Sequence, residues 1–152
     1  MSDPTQEVIA LVNAVDLESI SFLELSAKRA DEEATQSLVD NEESYDVQPD
    51  FTLQFARDID QQKFRIRIKT VIQAQPGTVV IDAAAEYSLS NLELEDITEE
   101  LMLEFANRVA LMSIVPYLRQ GLADMTQRVF GVPLTMPLYR AGELQFSAAS
   151  GS

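Results

Sequence analysis

The sequence predicts an α+β domain, an antiparallel meander of strands covered by one long, kinked helix near the C-terminus. Three observations carry this. Residues 51–89 hold three runs of alternating apolar and polar residues separated by short turn signals, the pattern of strands with one buried face. Residues 98–130 instead carry apolar residues at spacings of three and four, the period of a helix. The length of 152 residues suits one domain, large enough to bury a core without covalent staples.

Taken in order, Met1 to Thr5 is a frayed start. Glu7 to Val15 is ambiguous, because Val8, Leu11, Val12 and Val15 fit helix spacing over too short a run. Residues 1–15 are therefore set apart from a domain running from 16 to 146, with 147–152 as a tail of small residues. Asp16 to Arg29 reads as a strand, with Leu17, Leu23 and Leu25 on one parity and Ile20 and Phe22 on the other. A switch of parity inside one run implies a bulge, or a strand covered on both faces.

Residues 31–50 change character, with eight acids and no base. A connection of about 20 residues inside a compact domain is uncommon, and is usually functional or disordered. Its acidic portion reads as a solvated loop. Leu38, Val39, Tyr45 and Val47 within it are placed to line the edge of a groove. Phe51 to Ile59 then alternates, with Phe51, Leu53 and Phe55 opposed by Thr52 and Gln54. Asp58 to Gln62 is a turn. Lys63 to Ile72 sets Phe64, Ile66 and Ile68 against Arg65, Arg67 and Lys69. Pro76-Gly77 is a second turn signal, and Thr78 to Leu89 alternates again. Short turns make these three strands an antiparallel meander with one oily and one polar face. The basic stripe Arg65, Arg67 and Lys69 has no interleaved aromatics and reads as the solvated face of the sheet, pairing with acids across strands.

The stretch from Thr98 to Phe130 is the organising element. Asp96 and Glu99 have capping-box spacing ahead of it. Leu101, Phe105, Val109 and Met112 form one part of its stripe, and Leu118, Leu122, Met125 and Val129 the other, with Gly131 as the stop. Pro116 removes one hydrogen bond and clashes one turn back, so a kink or two tandem helices is expected around Ser113 to Tyr117. Unbroken, the stretch would span about 50 Å, against a radius of gyration of about 15 Å for a domain of this length. Its surplus apolar surface, Met102, Leu111, Ile114 and Val115, is expected to meet another subunit. After Gly131, Pro133 and Pro137 forbid a regular helix. Val132, Leu134, Met136 and Leu138 alternate there as an extended apolar segment, and methionine suits promiscuous binding surfaces.

Composition narrows the chemistry. There is no cysteine and no histidine, which removes disulfides, the usual soft metal ligands, the commonest general base and every Cys–His or Ser–His–Asp nucleophile. No catalytic residue, metal site or cofactor is expected. Glu99 and Glu100 are neighbours on a helix and do not share a face, and acids at a helix start normally serve its dipole. The net charge of −14 repels nucleic acid and anionic lipid, both bound mainly through phosphate. It also keeps a chain with exposed apolar surface dispersed. No run reaches about 18 apolar residues, so no membrane insertion is expected. The polar start does not read as a signal peptide, and the expected address is the cytosol.

The order of strand, long crossover loop, three-strand meander, long kinked helix and proline-punctuated tail resembles the SecB family of export and general chaperones. The residues carrying the resemblance are Ile20-Ser21-Phe22, Val115-Pro116-Tyr117-Leu118-Arg119, and the tail from Val129 to Leu138; Arg128 just before that tail and Pro137 within it match family positions. The resemblance covers roughly Asp16 to Leu138. It implies a four-stranded antiparallel sheet with the long helix on one face, assembled as a dimer of dimers. It also implies an ATP-independent holdase that keeps extended, non-native polypeptide in apolar grooves. Carried onto this chain, the client-binding residues are Leu38, Val39, Tyr45, Val47, Leu118, Leu122, Met125, Val129, Met136 and Leu138. Export members use acids flanking the Ile-Ser-Phe motif to meet the SecA motor. Those positions here are Ser19 and Leu23, and the chain stops soon after Phe146, which leaves a SecA partnership open. Both departures point to the branch that serves other clients, including antitoxins of toxin–antitoxin–chaperone operons. Two alternatives stand beside the holdase: a carrier of small hydrophobic ligands and a structural adaptor oligomer.

Overall fold

The computed structural model describes residues 4–30, 49–74 and 77–135. Within them the chain forms α1 (Pro4–Ala14), β1 (Val15–Arg29), β2 (Asp50–Asp58), β3 (Lys63–Ala74) and β4 (Gly77–Leu89). A 3-10 turn (Leu94–Asp96) leads into one helical stretch made of α2 (Glu99–Phe105), a π turn (Ala106–Ala110) and α3 (Leu111–Phe130). The four strands are antiparallel in the order β1-β4-β3-β2. The expected α+β architecture, a four-stranded sheet under a long C-terminal helix, is the one observed. The ambiguous start is a helix that buries Val8, Leu11 and Ala14.

The parity switch in β1 is a pair of bulges. Leu17 lies opposite Tyr87, Ile20 opposite Ala85, Phe22 opposite Ala83 and Leu25 opposite Ile81, with register shifts between Leu17 and Ser19 and between Phe22 and Glu24. Each shift inserts one extra residue and turns the strand by one parity. Leu17, Ile20, Phe22 and Leu25 thereby share the helix side of the sheet despite their mixed spacing. Leu23 is the extra residue of the second bulge.

The core lies between that side of the sheet and the helices. Ile66, Ile68, Ile72, Ile81, Ala83 and Ala85 are fully buried there. Tyr87 stacks on Phe64 and meets Phe105 edge-on, both with ring centroids 5.1 Å apart. Its buried hydroxyl has no partner, and burial pushes the phenol up to about 12. The opposite side carries the basic stripe among acids. Arg65 faces Glu86 and Lys69 faces Asp82, while the Arg67 guanidinium forks onto the buried Asp82 carboxylate through Nε and Nη2. The stripe is a paired sheet face.

The helix departs from expectation in three ways. Its cap is Thr98, whose hydroxyl accepts from Leu101 N–H at 3.1 Å. Asp96 closes the preceding 3-10 turn instead. The irregular turn falls at Ala106–Ala110, and helical geometry runs unbroken through Pro116. The reason is one of phase. A regular helix of 3.6 residues per turn continued from Met102 would aim Pro116 at the sheet. The π turn takes in one extra residue, so Ile114, Leu118 and Leu122 face the sheet while Pro116 and Tyr117 face outward. Third, Met102, Leu111, Ile114 and Val115 are buried within this single chain. Met102 packs inward ahead of the π turn and the rotated stripe spends the other three on the core, which corrects their expected role as subunit surface.

By length and composition alone, Glu99–Phe130 is apolar enough to cross a membrane. Its stripe packs on the sheet, as in any core helix. Gly121 permits the close approach, since a Cβ there would lie 3.1 Å from Leu25 and 3.3 Å from Phe22. Gly131, left-handed at φ 83°, ends the helix.

Candidate functional site

The described residues leave apolar surface at the two edges of the sheet. α3 lies over β4 and β1, yet several apolar side chains of the two outer strands stay partly exposed. On β2, Leu53 pairs with Ile68 and Phe55 with Ile66. The β3 partners are fully buried, whereas Phe51, Leu53 and Phe55 are only half-buried against the margin of the core. A row of apolar side chains, backed by core and open on its outer side, results. Thr52 and Gln54 alternate with them on the far side of the strand.

The β1 edge is barer. Phe22 and Leu25 are each 38% exposed although their β4 partners are fully buried, Leu23 is 43% exposed, and Tyr117 of α3 is 40% exposed. Phe22 and Tyr117 meet edge-to-face at a centroid distance of 6.3 Å. The strand is acidic at its start (Asp16, Glu18) and basic at its end (Lys28, Arg29). Glu18 bonds Lys63 at 3.0 Å. That hydrogen bond and charge hold the Glu18 carboxyl below the usual carboxylate range and raise Lys63.

The ten residues expected to bind clients separate into three groups. Leu118 and Leu122 are fully buried beneath α3. They are core residues, because the rotated helix turns that stripe onto the sheet, and their role as lining is corrected accordingly. Met125 and Val129 are half-buried near the C-terminal end of α3, and Val129 packs on the margin of the core together with Val132. Leu38, Val39, Tyr45, Val47, Met136 and Leu138 lie outside the described residues. Among the described residues no cluster of acids suits a metal ion.

Sequence reasoning missed the functional potential of the two edges. Phe51, Leu53 and Phe55 alternate like any buried row, and only strand order reveals that β2 is an edge. The signal was the long acidic connection before it, which must carry the chain from one edge to the other. Thr126 was also missed. The buried stripe runs Leu118, Leu122, Thr126 and Phe130 at spacings of four, so this threonine occupies a core position.

Four antiparallel strands under one long helix define an α+β fold of SecB-like architecture. Within that class, the chain is 26% identical over 147 residues to the SecB-like chaperone SmegB of Mycolicibacterium smegmatis, an alignment covering 97% of this chain and 90% of that protein. Its fold matches the Rv1957 SecB-like chaperone of Mycobacterium tuberculosis, solved in complex with a ChAD peptide from the Rv1956 HigA1 antitoxin. The TM-score is 0.71 at 22% identity, covering 91% of this chain and 96% of that one. No family model matches the chain. The resemblance first carried by short motifs thus extends over nearly the whole length.

Proposed function

We propose that this chain is an ATP-independent holdase chaperone of the SecB-like kind, working in the cytosol on extended, non-native polypeptide. The observation that carries the reading is the similarity to a SecB-like chaperone along 97% of the chain. The surface supports it physically. Unfolded clients offer apolar side chains in no fixed pattern, so a receptor needs adaptable apolar area more than placed polar groups. The half-buried row Phe51, Leu53 and Phe55, with Met125 and Val129, supplies such area on a chain whose charge of −14 keeps it dispersed. Antitoxins are a client class within this proposal, because the similarly folded Rv1957 chaperone is in complex with an antitoxin peptide. The proposal assigns no catalytic step.

The β1 edge is assigned to assembly. An exposed strand edge bearing Phe22, Leu23 and Leu25 would invite indiscriminate pairing if left bare. Antiparallel pairing with a second copy sets the acidic start of one β1 beside the basic end of the other. The interface expected on Met102, Leu111, Ile114 and Val115 thereby moves to the strand edge and Tyr117.

The test is light scattering from a chemically unfolded protein diluted into buffer with and without this chain, lacking ATP. Suppression of aggregation near stoichiometric ratio is expected. Undiminished aggregation of several unrelated clients would sink general chaperoning.

A further inference from the structure

The helix side of β3 is an apolar row with one exception. Phe64, Ile66, Ile68, Thr70 and Ile72 alternate along the strand, and all five are buried. Thr70 has no exposed surface, and its Oγ1 has no hydrogen-bond partner. Buried hydroxyls are normally paired, because an unpaired one has given up its bonds to water for nothing. The other buried polar positions obey that rule. Thr126 Oγ1 donates to the Leu122 carbonyl at 2.7 Å and accepts the Leu134 N–H at 2.9 Å, while the Asp82 carboxylate is held by Arg67. Among the described residues the second unpaired hydroxyl is that of Tyr87, whose ring packs on Phe64 and Phe105. A valine at 70 would fill the same space with no orphan. The fold alone therefore gives no reason for a threonine there.

Its place in the sheet supplies one. Thr70 pairs with Phe51 of the edge strand β2 and with Ile81 on its other side. It lies one strand, about 5 Å, inside the half-buried row Phe51, Leu53 and Phe55. Leu53 and Phe55 are backed by Ile68 and Ile66, so Phe51 is the one member of that row with a hydroxyl behind it. An extended polypeptide laid on an apolar row must also hide peptide N–H and C=O groups, which is costly wherever they stay unpaired. A hydroxyl both donates and accepts, so it can pair with either group whatever the sequence of the segment.

We propose that Thr70 is the polar anchor of the client-binding row: its hydroxyl pairs with a peptide group of an extended, non-native segment lying along Phe51 and Leu53. The proposal rests on the holdase reading. The half-buried Phe51 ring stands between the hydroxyl and the margin of the sheet, and a change of its χ1 rotamer admits the segment. The free chain is less stable than it could be because the bond is kept for the client, as is common where a binding function opposes stability. A valine at 70 keeps the shape and loses the bond. A serine keeps the bond and loses a methyl group.

The experiment titrates fluorescein-labelled, reduced and carboxymethylated α-lactalbumin, a permanently unfolded client, with the full chain and with Thr70→Val, Thr70→Ser and Tyr87→Phe. Anisotropy reads affinity, and thermal unfolding followed by circular dichroism reads stability. Thr70→Val is expected to raise the melting temperature by about 3 °C, the effect of relieving one unpaired hydroxyl in a chain of this length. The same variant should bind the client more weakly on the order of fivefold, the scale of one lost hydrogen bond. Thr70→Ser leaves a methyl-sized void, so it should melt lower than the original yet bind within about twofold of it. Tyr87→Phe removes the other unpaired hydroxyl, two strands in from β2, and should leave affinity unchanged. Stability and affinity moving in opposite directions at one position is a result that a merely structural role does not give. A Thr70→Val chain that binds as well as the original would overturn the inference and leave the holdase reading intact. So would one that melts no higher or fails to fold, since the hydroxyl would then be paired in the free chain. A loss of affinity in Thr70→Ser equal to that in Thr70→Val, or any in Tyr87→Phe, would overturn it in favour of packing. No binding by the unsubstituted chain would overturn the holdase reading and this inference with it.

Discussion

The two edges of the sheet are built from similar residues and left in different states. β2 shows a strictly alternating row, Phe51, Leu53 and Phe55, sunk to half depth against the core. β1 is longer, carries two bulges, and leaves Phe22, Leu23 and Leu25 with more than a third of their surface in water. A shallow apolar row with one polar side suits a ligand that varies in sequence, since burial is non-directional. A bare, charge-graded strand edge suits a partner with a fixed sequence, and a second copy of the same strand is such a partner. One small sheet can thus give one margin to clients and the other to assembly.

The largest effect should come from beneath both margins. Leu122→Ala removes a fully buried side chain and should cost about 2–5 kcal/mol, read by urea denaturation, with client binding and assembly lost together. A stable variant that loses only client binding would return Leu122 to the groove. Next, Leu25→Asp places a carboxylate on the β1 edge. Light scattering coupled to size exclusion should show the assembly falling apart while the fold persists. If mass is unchanged, β1 is not the interface. Leu53→Asp makes the opposite cut, weakening client affinity on the order of tenfold without changing the assembly. Loss of assembly instead would reverse the two assignments. The smallest effect belongs to Glu18→Gln. The Glu18 carboxyl is held low by Lys63, so its contribution is complete above the ordinary carboxylate range and fades as pH falls through its depressed folded value. The substituted chain should therefore show a flatter acid limb in stability against pH, and an identical limb would mean that the pair is idle.

Much of the fold was legible because its signals are local. Period-two runs gave β2, β3 and β4 within a residue or two, and the mixed parity of Leu17, Ile20, Phe22 and Leu25 announced the bulges of β1. Gly131 ended the helix as its conformational freedom allows. The helix phase was not legible. No residue type signals a π turn, and the one extra residue at Ala106–Ala110 moves every later position round the axis. Leu111, Ile114, Val115, Leu118 and Leu122 were therefore assigned to surfaces that the rotated helix turns inward, while Met102, ahead of the turn, is buried without it. The site was legible in chemistry and not in place. Apolar alternation on a strongly acidic chain marked rows of apolar side chains. Which apolar row stays open depends on strand order, which local pattern does not contain.

The most direct test is hydrogen exchange, followed residue by residue, of the assembled chain with and without an unfolded client. The expected result is new protection over Asp50–Asp58 and the last turns of α3, with β1 already protected in the assembly and unchanged by the client. Protection gained along β1, with β2 unaffected, would contradict the division of the two edges.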